Sequence, residues 1–200
     1  MASRPLLFLG LDGALSPLGE RVALAKIPLL HVPVPDREPL VFDARLPAWL
    51  RRLDEAFELV WANKLGDSAN ELLGGPLGLD PLPVLHFDAR SPRSEQLAGS
   101  VNLAWIDAYL DGRPGAWIDA SITPADVLWG RRRTKAGIPT DLVKTRRARG
   151  LKERHVFDLL AWAYLGFGTG PGVIVHRVTI VVDEPDEDDD ELETESPAAA

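Results

Sequence analysis

The sequence predicts a single α/β domain, a mostly parallel sheet with helices on both faces, and three observations predict it. Short apolar runs bounded by turn residues recur along the chain, the pattern of strands covered on both sides. Segments with helical spacing alternate with those runs, which implies crossover connections between parallel strands. Two hundred residues with 46% hydrophobic content are enough for one sizeable core.

Five runs read as strands: residues 6–11, 57–62, 83–87, 115–119 and 141–144. Between and after them, helical spacing marks 46–56 (Leu46, Trp49, Leu50, Leu53), 68–73, 101–110, 124–135 and 153–165. In such Rossmann-like architectures ligands bind beyond the carboxyl ends of the strands, which directs attention to Asp12, to Ala62–Leu65 and to Asp119–Ser121. Residues 18–43 break the alternation. They are apolar, β-prone and punctuated by proline, and read as a small hairpin or flap inserted after the first strand, above the site. The domain proper therefore covers 1–165, followed by a linker at 166–182. Within that linker, 172–182 has the pattern of an edge strand, able to join the sheet or a protein partner.

Composition removes several function classes. The chain has no cysteine, so disulfides and thiolate metal sites are out of reach. The apolar run after Arg4 is interrupted by Asp12 after seven residues, too soon for a secretion signal. No run approaches the ~18 apolar residues of a membrane span. A cytoplasmic protein with no membrane association is the resulting expectation. The net charge of −8 is uneven: residues 183–200 carry ten acids and no Lys or Arg, and without them 22 cations face 20 acids, a balance of +2. That tail has the composition of a disordered segment, and of a site for a protein partner.

Residues 6–15, Leu-Leu-Phe-Leu-Gly-Leu-Asp-Gly-Ala-Leu, form an apolar strand that ends in Gly-x-Asp-Gly-x-Leu. Downstream come Phe57–Ala62 (Phe-Glu-Leu-Val-Trp-Ala), Ala69-Asn70, Leu77-Gly78-Leu79, then Arg113-Pro114-Gly115-Ala116-Trp117-Ile118-Asp119, and finally Gly150-Leu151 before a helix with Ala161-Trp162-Ala163. In this order the motifs resemble the haloacid-dehalogenase-like (HAD-like) superfamily, and within it the bacterial HAD domain associated with Swiss-army-knife RNA repair proteins. The similarity spans roughly residues 5–165. It implies a Rossmann-like three-layer HAD fold with 18–43 as a small cap.

The resemblance also implies a chemistry. In the family a first aspartate attacks phosphorus and a second, two residues on, moves the proton. A Thr or Ser and a Lys hold the phosphoryl oxygens, and an acidic pair joins the first aspartate on Mg²⁺. Here Gly10 stands at the nucleophile position, and Asp12 remains as a residual acid/base. Asn63 replaces the Thr or Ser, with Lys64 beside it as the nearest cation. Asp119 keeps the first acid of the pair, whereas Ala120 replaces the second. Mg²⁺ binding through Asp12 and Asp119 is expected to be weak or absent. The implied function is a catalytically inactive phosphatase relative that binds a phosphorylated small molecule or acts as a regulatory module. Under that reading a Gly10→Asp, Ala120→Asp protein regains part of the lost activity.

Other readings compete. An active Mg²⁺-dependent phosphoric ester hydrolase would use Asp12, Asp119 and Asn63 with water as nucleophile. A nucleic-acid-binding protein would use the stretch 131–154, whose ten cations include Arg131, Arg132, Arg133, Arg146, Arg147 and Arg149. Clustered charge of this kind focuses potential toward phosphates, although it also describes a solvated face. The acidic tail could fold back on the same cations and compete with an anionic ligand in a salt-sensitive way. Asp12-Gly13 also fits a simple Asx-type turn, and Asp119 a helix cap. Trp61, Trp117 and Trp162 read as packing residues, and the four histidines as structural or exposed. The glycine-rich run 166–172 lacks the Lys-Ser/Thr ending of a phosphate loop.

Overall fold

A computed structural model describes residues 4–18, 27–35, 37–87, 99–100 and 102–166. Apart from Gly166, the expected linker 166–182, with its strand-like segment 172–182, and the tail 183–200 lie outside these residues. Six strands and five helices follow in order: β1 Leu6–Leu9, β2 Leu29–Val34, β3 Arg37–Asp43, α1 Leu46–Ala56, β4 Glu58–Trp61, α2 Ser68–Leu77, α3 Leu103–Leu110, β5 Gly115–Asp119, α4 Pro124–Lys135, β6 Thr140–Lys144 and α5 Glu153–Gly166.

The main sheet has the order β4-β1-β5-β6, and every pair in it is parallel. The expected strand at 83–87 contracts to a single parallel bridge from Val84 to Trp61 at the outer edge of β4. Pro81 and Pro83 explain the contraction, because neither has an N–H to give to a ladder. The Trp61 N–H donates to Pro83 C=O (2.9 Å) and the Leu85 N–H donates to Trp61 C=O (2.8 Å). The chain thus moves outward from β1 on one side and then returns to build β5 and β6 on the other. The order reverses at β1.

Period-two alternation divides the core between the two faces of the sheet. Leu7 and Leu9 point to the layer formed by α1, α2 and α5, while Leu6 and Phe8 point to α3 and α4. All four are at most 2% exposed. Burial of each such side chain contributes roughly 2 kcal/mol over leaving it in water. In α1, Leu46, Trp49, Leu50, Leu53 and Ala56 form the buried stripe, and a proline in the first turn starts the helix. In α4 a capping box between Thr123 and Asp126 satisfies the first-turn amides, and Asp126 Oδ1 also accepts the Ser100 N–H at 2.8 Å.

The insertion after β1 is a hairpin, β2 antiparallel to β3, with its ladder shifted at Pro33. It does not stand free of the domain as a flap would. Val32, Val34, Leu40 and Phe42 turn inward and join the α1/α2/α5 core. The Val41 N–H donates to Ser16 Oγ (3.1 Å), which ties the hairpin to the loop after β1.

Helix α2 runs past the expected end at residue 73, through Gly74-Gly75-Pro76, to a left-handed cap at Gly78 with φ 65°. Asn70, in its first turns, acts as a clamp: Oδ1 accepts from Trp61 Nε1 (3.0 Å) and the Leu82 N–H (2.9 Å), and Nδ2 donates to Leu82 C=O (2.8 Å). Asn70→Ala leaves the buried Trp61 indole N–H without its acceptor, and a loss of about 2–4 kcal/mol is expected in chemical denaturation. Unchanged stability would show that Trp61 and the 82–85 strip are held by packing alone. Trp162 stacks on Phe57 with ring centroids 5.9 Å apart, in keeping with its expected packing role. Among the described residues no helix is long and apolar enough to cross a membrane.

Candidate functional site

The strand order reverses at β1, and in open α/β sheets the crevice that receives ligands lies at such a reversal, beyond the carboxyl ends of the strands. Four loops meet there: 10–18 after β1, 62–66 after β4, 120–123 after β5 and 145–151 after β6. The first folds back tightly. Ser16 and Ala14 N–H groups donate to Leu11 C=O (2.9 and 3.1 Å), and the Gly13 N–H donates to Ser16 C=O (2.7 Å). Asp12 is exposed on this turn and bridges to Ser16.

Gly13 has φ 74° and is pressed between neighbouring loops, for a Cβ there would lie 3.0 Å from both Ala120 Cβ and Arg147 Cα. Side chains other than glycine are thus excluded twice, by conformation and by space. Thr145 Oγ1 donates to Gly13 C=O (2.7 Å), the Thr145 N–H donates to Asp119 C=O (3.3 Å), and the Leu151 N–H donates to Ala14 C=O (2.7 Å). Thr145, 3% exposed, therefore joins the loops of β1, β5 and β6. Sequence reasoning passed over it. Its only signal is a β-branched hydroxyl directly after a strand, on the side where ligands bind.

Gly10 has a structural reason to be glycine. Its N–H donates to Ile118 C=O (2.9 Å), and a Cβ at this position would lie 2.7 Å from that same carbonyl oxygen and 2.7 Å from Asp119 Oδ2. The space into which a side chain at position 10 would project is filled by the carboxylate of Asp119 and by backbone that cannot swing aside. A side chain at position 10 would have to displace the Asp119 carboxylate or that backbone.

Asp119 is 8% exposed, and its Oδ1 accepts the Ser121 N–H at 2.7 Å. Burial pushes its carboxyl above the ordinary carboxylate value, against the lowering effect of the Ser121 hydrogen bonds, and the charge of Asp126 adds to the rise. A folded pKa above the unfolded one means that the stability linked to Asp119 is present in acid and is lost as pH rises through the folded value. Asp119→Asn keeps an oxygen for Ser121 and removes the buried charge. The variant is expected to melt higher than the wild type at pH 7, and a lower melting temperature would refute the account.

Asn63, two residues past β4, is 7% exposed. Its Oδ1 accepts the Leu65 N–H (2.9 Å), whereas its Nδ2 is buried with no hydrogen-bond partner among the described residues. Lys64 beside it is exposed. Asp12 and Asp119 are the carboxylates expected to hold Mg²⁺. Among the described residues no group of three or more His, Asp or Glu side chains converges.

The basic stretch does not form one surface, because β6 separates its halves. Arg133 lies at the amino end of that strand, where Nε donates to Thr140 Oγ1 (3.0 Å), Nη1 to Asp107 Oδ1 (3.1 Å) and Nη2 to Arg113 C=O (2.8 Å). Its guanidinium also lies over Trp129, 5.1 Å from the ring centroid. It is a structural residue. Arg131 and Arg132 belong to the same last turns of α4. Arg146, Arg147 and Arg149 lie at the carboxyl end, in a turn closed by Arg149 and Gly150 N–H groups on Arg146 C=O (2.9 and 2.8 Å). The Leu18 N–H donates to Arg147 C=O (2.6 Å), so this half adjoins the Gly10–Gly13 loop. Partial burial holds the Lys152 ammonium below its ordinary value, and the charges of Arg149, Arg154 and Arg146 add to the effect. Those four cations share one neighbourhood.

Comparison with protein-family models, curated proteins and solved structures gives no match for this chain.

Proposed function

We propose that this chain is a HAD-like domain that has given up phosphoryl transfer and serves as a binding or regulatory module for a phosphate-bearing ligand, received beyond the carboxyl end of β1. The observation that carries the reading is the enclosure of Gly10 by Ile118 C=O and Asp119 Oδ2. Covalent transfer needs a nucleophile at the strand end, and the place for one is taken. Binding needs less. The buried Asn63 Nδ2 has a hydrogen to donate and no acceptor among the described residues, and a phosphate oxygen would supply one. Lys64, next to Asn63, and Arg147, next to the Gly10–Gly13 loop, contribute positive charge at the carboxyl end of the sheet. The ligand is thus held by dipoles and charge, with no nucleophile at position 10.

Two measurements on the full chain test the proposal. A generic phosphomonoester assay with Mg²⁺ is expected to give no turnover above a mock-purified control, and turnover by the wild type would favour a working hydrolase. Calorimetric titration with inorganic phosphate is expected to show binding that weakens about tenfold in Asn63→Leu, the effect of one charge-assisted hydrogen bond. Equal affinity in the two proteins would remove Asn63 from the site.

A further inference from the structure

The cations Lys144, Arg146, Arg147, Arg149, Lys152 and Arg154 form a collar at the carboxyl end of β6, and Glu153 is the one acid in that stretch of sequence. The collar is a fixed surface. Its backbone is bonded to the β1 loop through Leu18 and Leu151 and to β5 through Thr145, so an anion meeting it need not order the loop first. About 16 Å of strand, five residues of β6 at ~3.3 Å each, separates it from Arg131–Arg133, some two screening lengths at physiological salt. The two arginine groups therefore act as independent patches.

We propose that the collar is the docking surface for the chain's own acidic segment, residues 183–200. Charge complementarity is the first argument: the ten acids of that segment are the whole reason that a chain otherwise at +2 carries −8. Reach is the second. Helix α5 starts beside the collar and carries the chain away from it by about 21 Å, 14 residues at 1.5 Å each. Residues 167–182, sixteen in number, span up to ~50 Å when extended, more than twice the distance needed to return. Because the collar adjoins the Gly10–Gly13 loop, a docked tail places negative charge at the rim of the crevice. The docking itself does not depend on the function proposed above.

The absence of cysteine makes a direct test simple. A nitroxide on Thr194→Cys in the full chain leaves all ten acids in place, and amide signals report which residues it approaches. At low salt the signals of residues 144–154 are expected to fall at least about twofold relative to the reduced label, those of Arg131–Arg133 to stay unchanged, and the effect to vanish near 1 M salt, where the screening length is ~3 Å. Replacing the ten tail acids by Asn and Gln, which leaves the folded domain untouched, is expected to abolish it. Arg146→Gln, Arg147→Gln and Arg149→Gln together are expected to do the same from the other side. Attenuation centred on Arg131–Arg133, attenuation that persists in the neutralised tail, or none at all would each overturn the proposal.

Discussion

Gly10→Asp is expected to destabilise the domain by about 3–5 kcal/mol and to restore no phosphatase activity. Two costs combine. Forcing a Cβ to within 2.7 Å of Ile118 C=O and Asp119 Oδ2 is overpacking against backbone, which costs typically 1–3 kcal/mol. The new carboxylate would then stand against the buried Asp119, a second charge in a site where burial already disfavours the first. The costs separate experimentally. Gly10→Ala carries the steric cost alone, and Gly10→Asp combined with Asp119→Asn carries sterics without like-charge repulsion, so the double variant is expected to fall between the two single ones. A Gly10→Asp protein that unfolds at the wild-type denaturant midpoint would show that β1 and β5 separate easily at their carboxyl ends, and the reading of Gly10 as a required glycine would fail.

Stability is also expected to fall in mild acid because of His155. This residue opens α5, is fully buried, and takes the Lys152 N–H on Nδ1 at 3.1 Å. Burial, with the charges of Arg154 and Lys152, holds its imidazole at about 4, against an ordinary value of 6.5. In this window the unfolded chain binds the proton more readily than the folded one, so stability rises with pH. The full contribution is present above pH 6.5 and is lost as pH falls toward 4. The gap corresponds to about 3 kcal/mol. Denaturation of the wild type and His155→Asn at several pH values isolates the slope, since Asn keeps an oxygen to accept the Lys152 N–H but does not titrate. Parallel pH profiles between 6.5 and 4 would rule out His155 as the source. Asp119 works in the opposite direction and is common to both proteins, so it cancels in the difference.

Much of the fold is legible in the residues. β1, β4, β5 and β6 are short apolar runs, and α1, α4 and α5 carry helical spacing with a proline in the first turn or an acidic start, so local chemistry and tertiary role agree. What was not legible depends on neighbours distant in sequence. A run such as Pro83–Phe87 is apolar enough for a strand, but whether it forms a ladder or one bridge depends on which amides face β4. Arg131 and Arg147 look alike in a charge count, and only the direction of β6 puts them at opposite ends of the sheet. At Gly10 the sequence shows the absent side chain, but not that Ile118 C=O and Asp119 Oδ2 occupy its space. Asn70 entered as part of a motif, while its work is to hold Trp61 and Leu82.

The hydrogen bond from Thr145 Oγ1 to Gly13 C=O joins residues 132 positions apart, and this has a consequence for how the protein comes into being. Contacts between distant residues require long loop closures before they contribute, which makes them late events in folding. During synthesis the first strand is made early, yet its second edge waits for residues 115–119, and its loop is not clasped until Leu151 has left the ribosome. The loop after β1 is therefore completed only once most of the domain has been made. Variants that slow the docking of β6 or α5 will lengthen the time during which an apolar, half-paired β1 is open to aggregation, even where the finished protein is as stable as before.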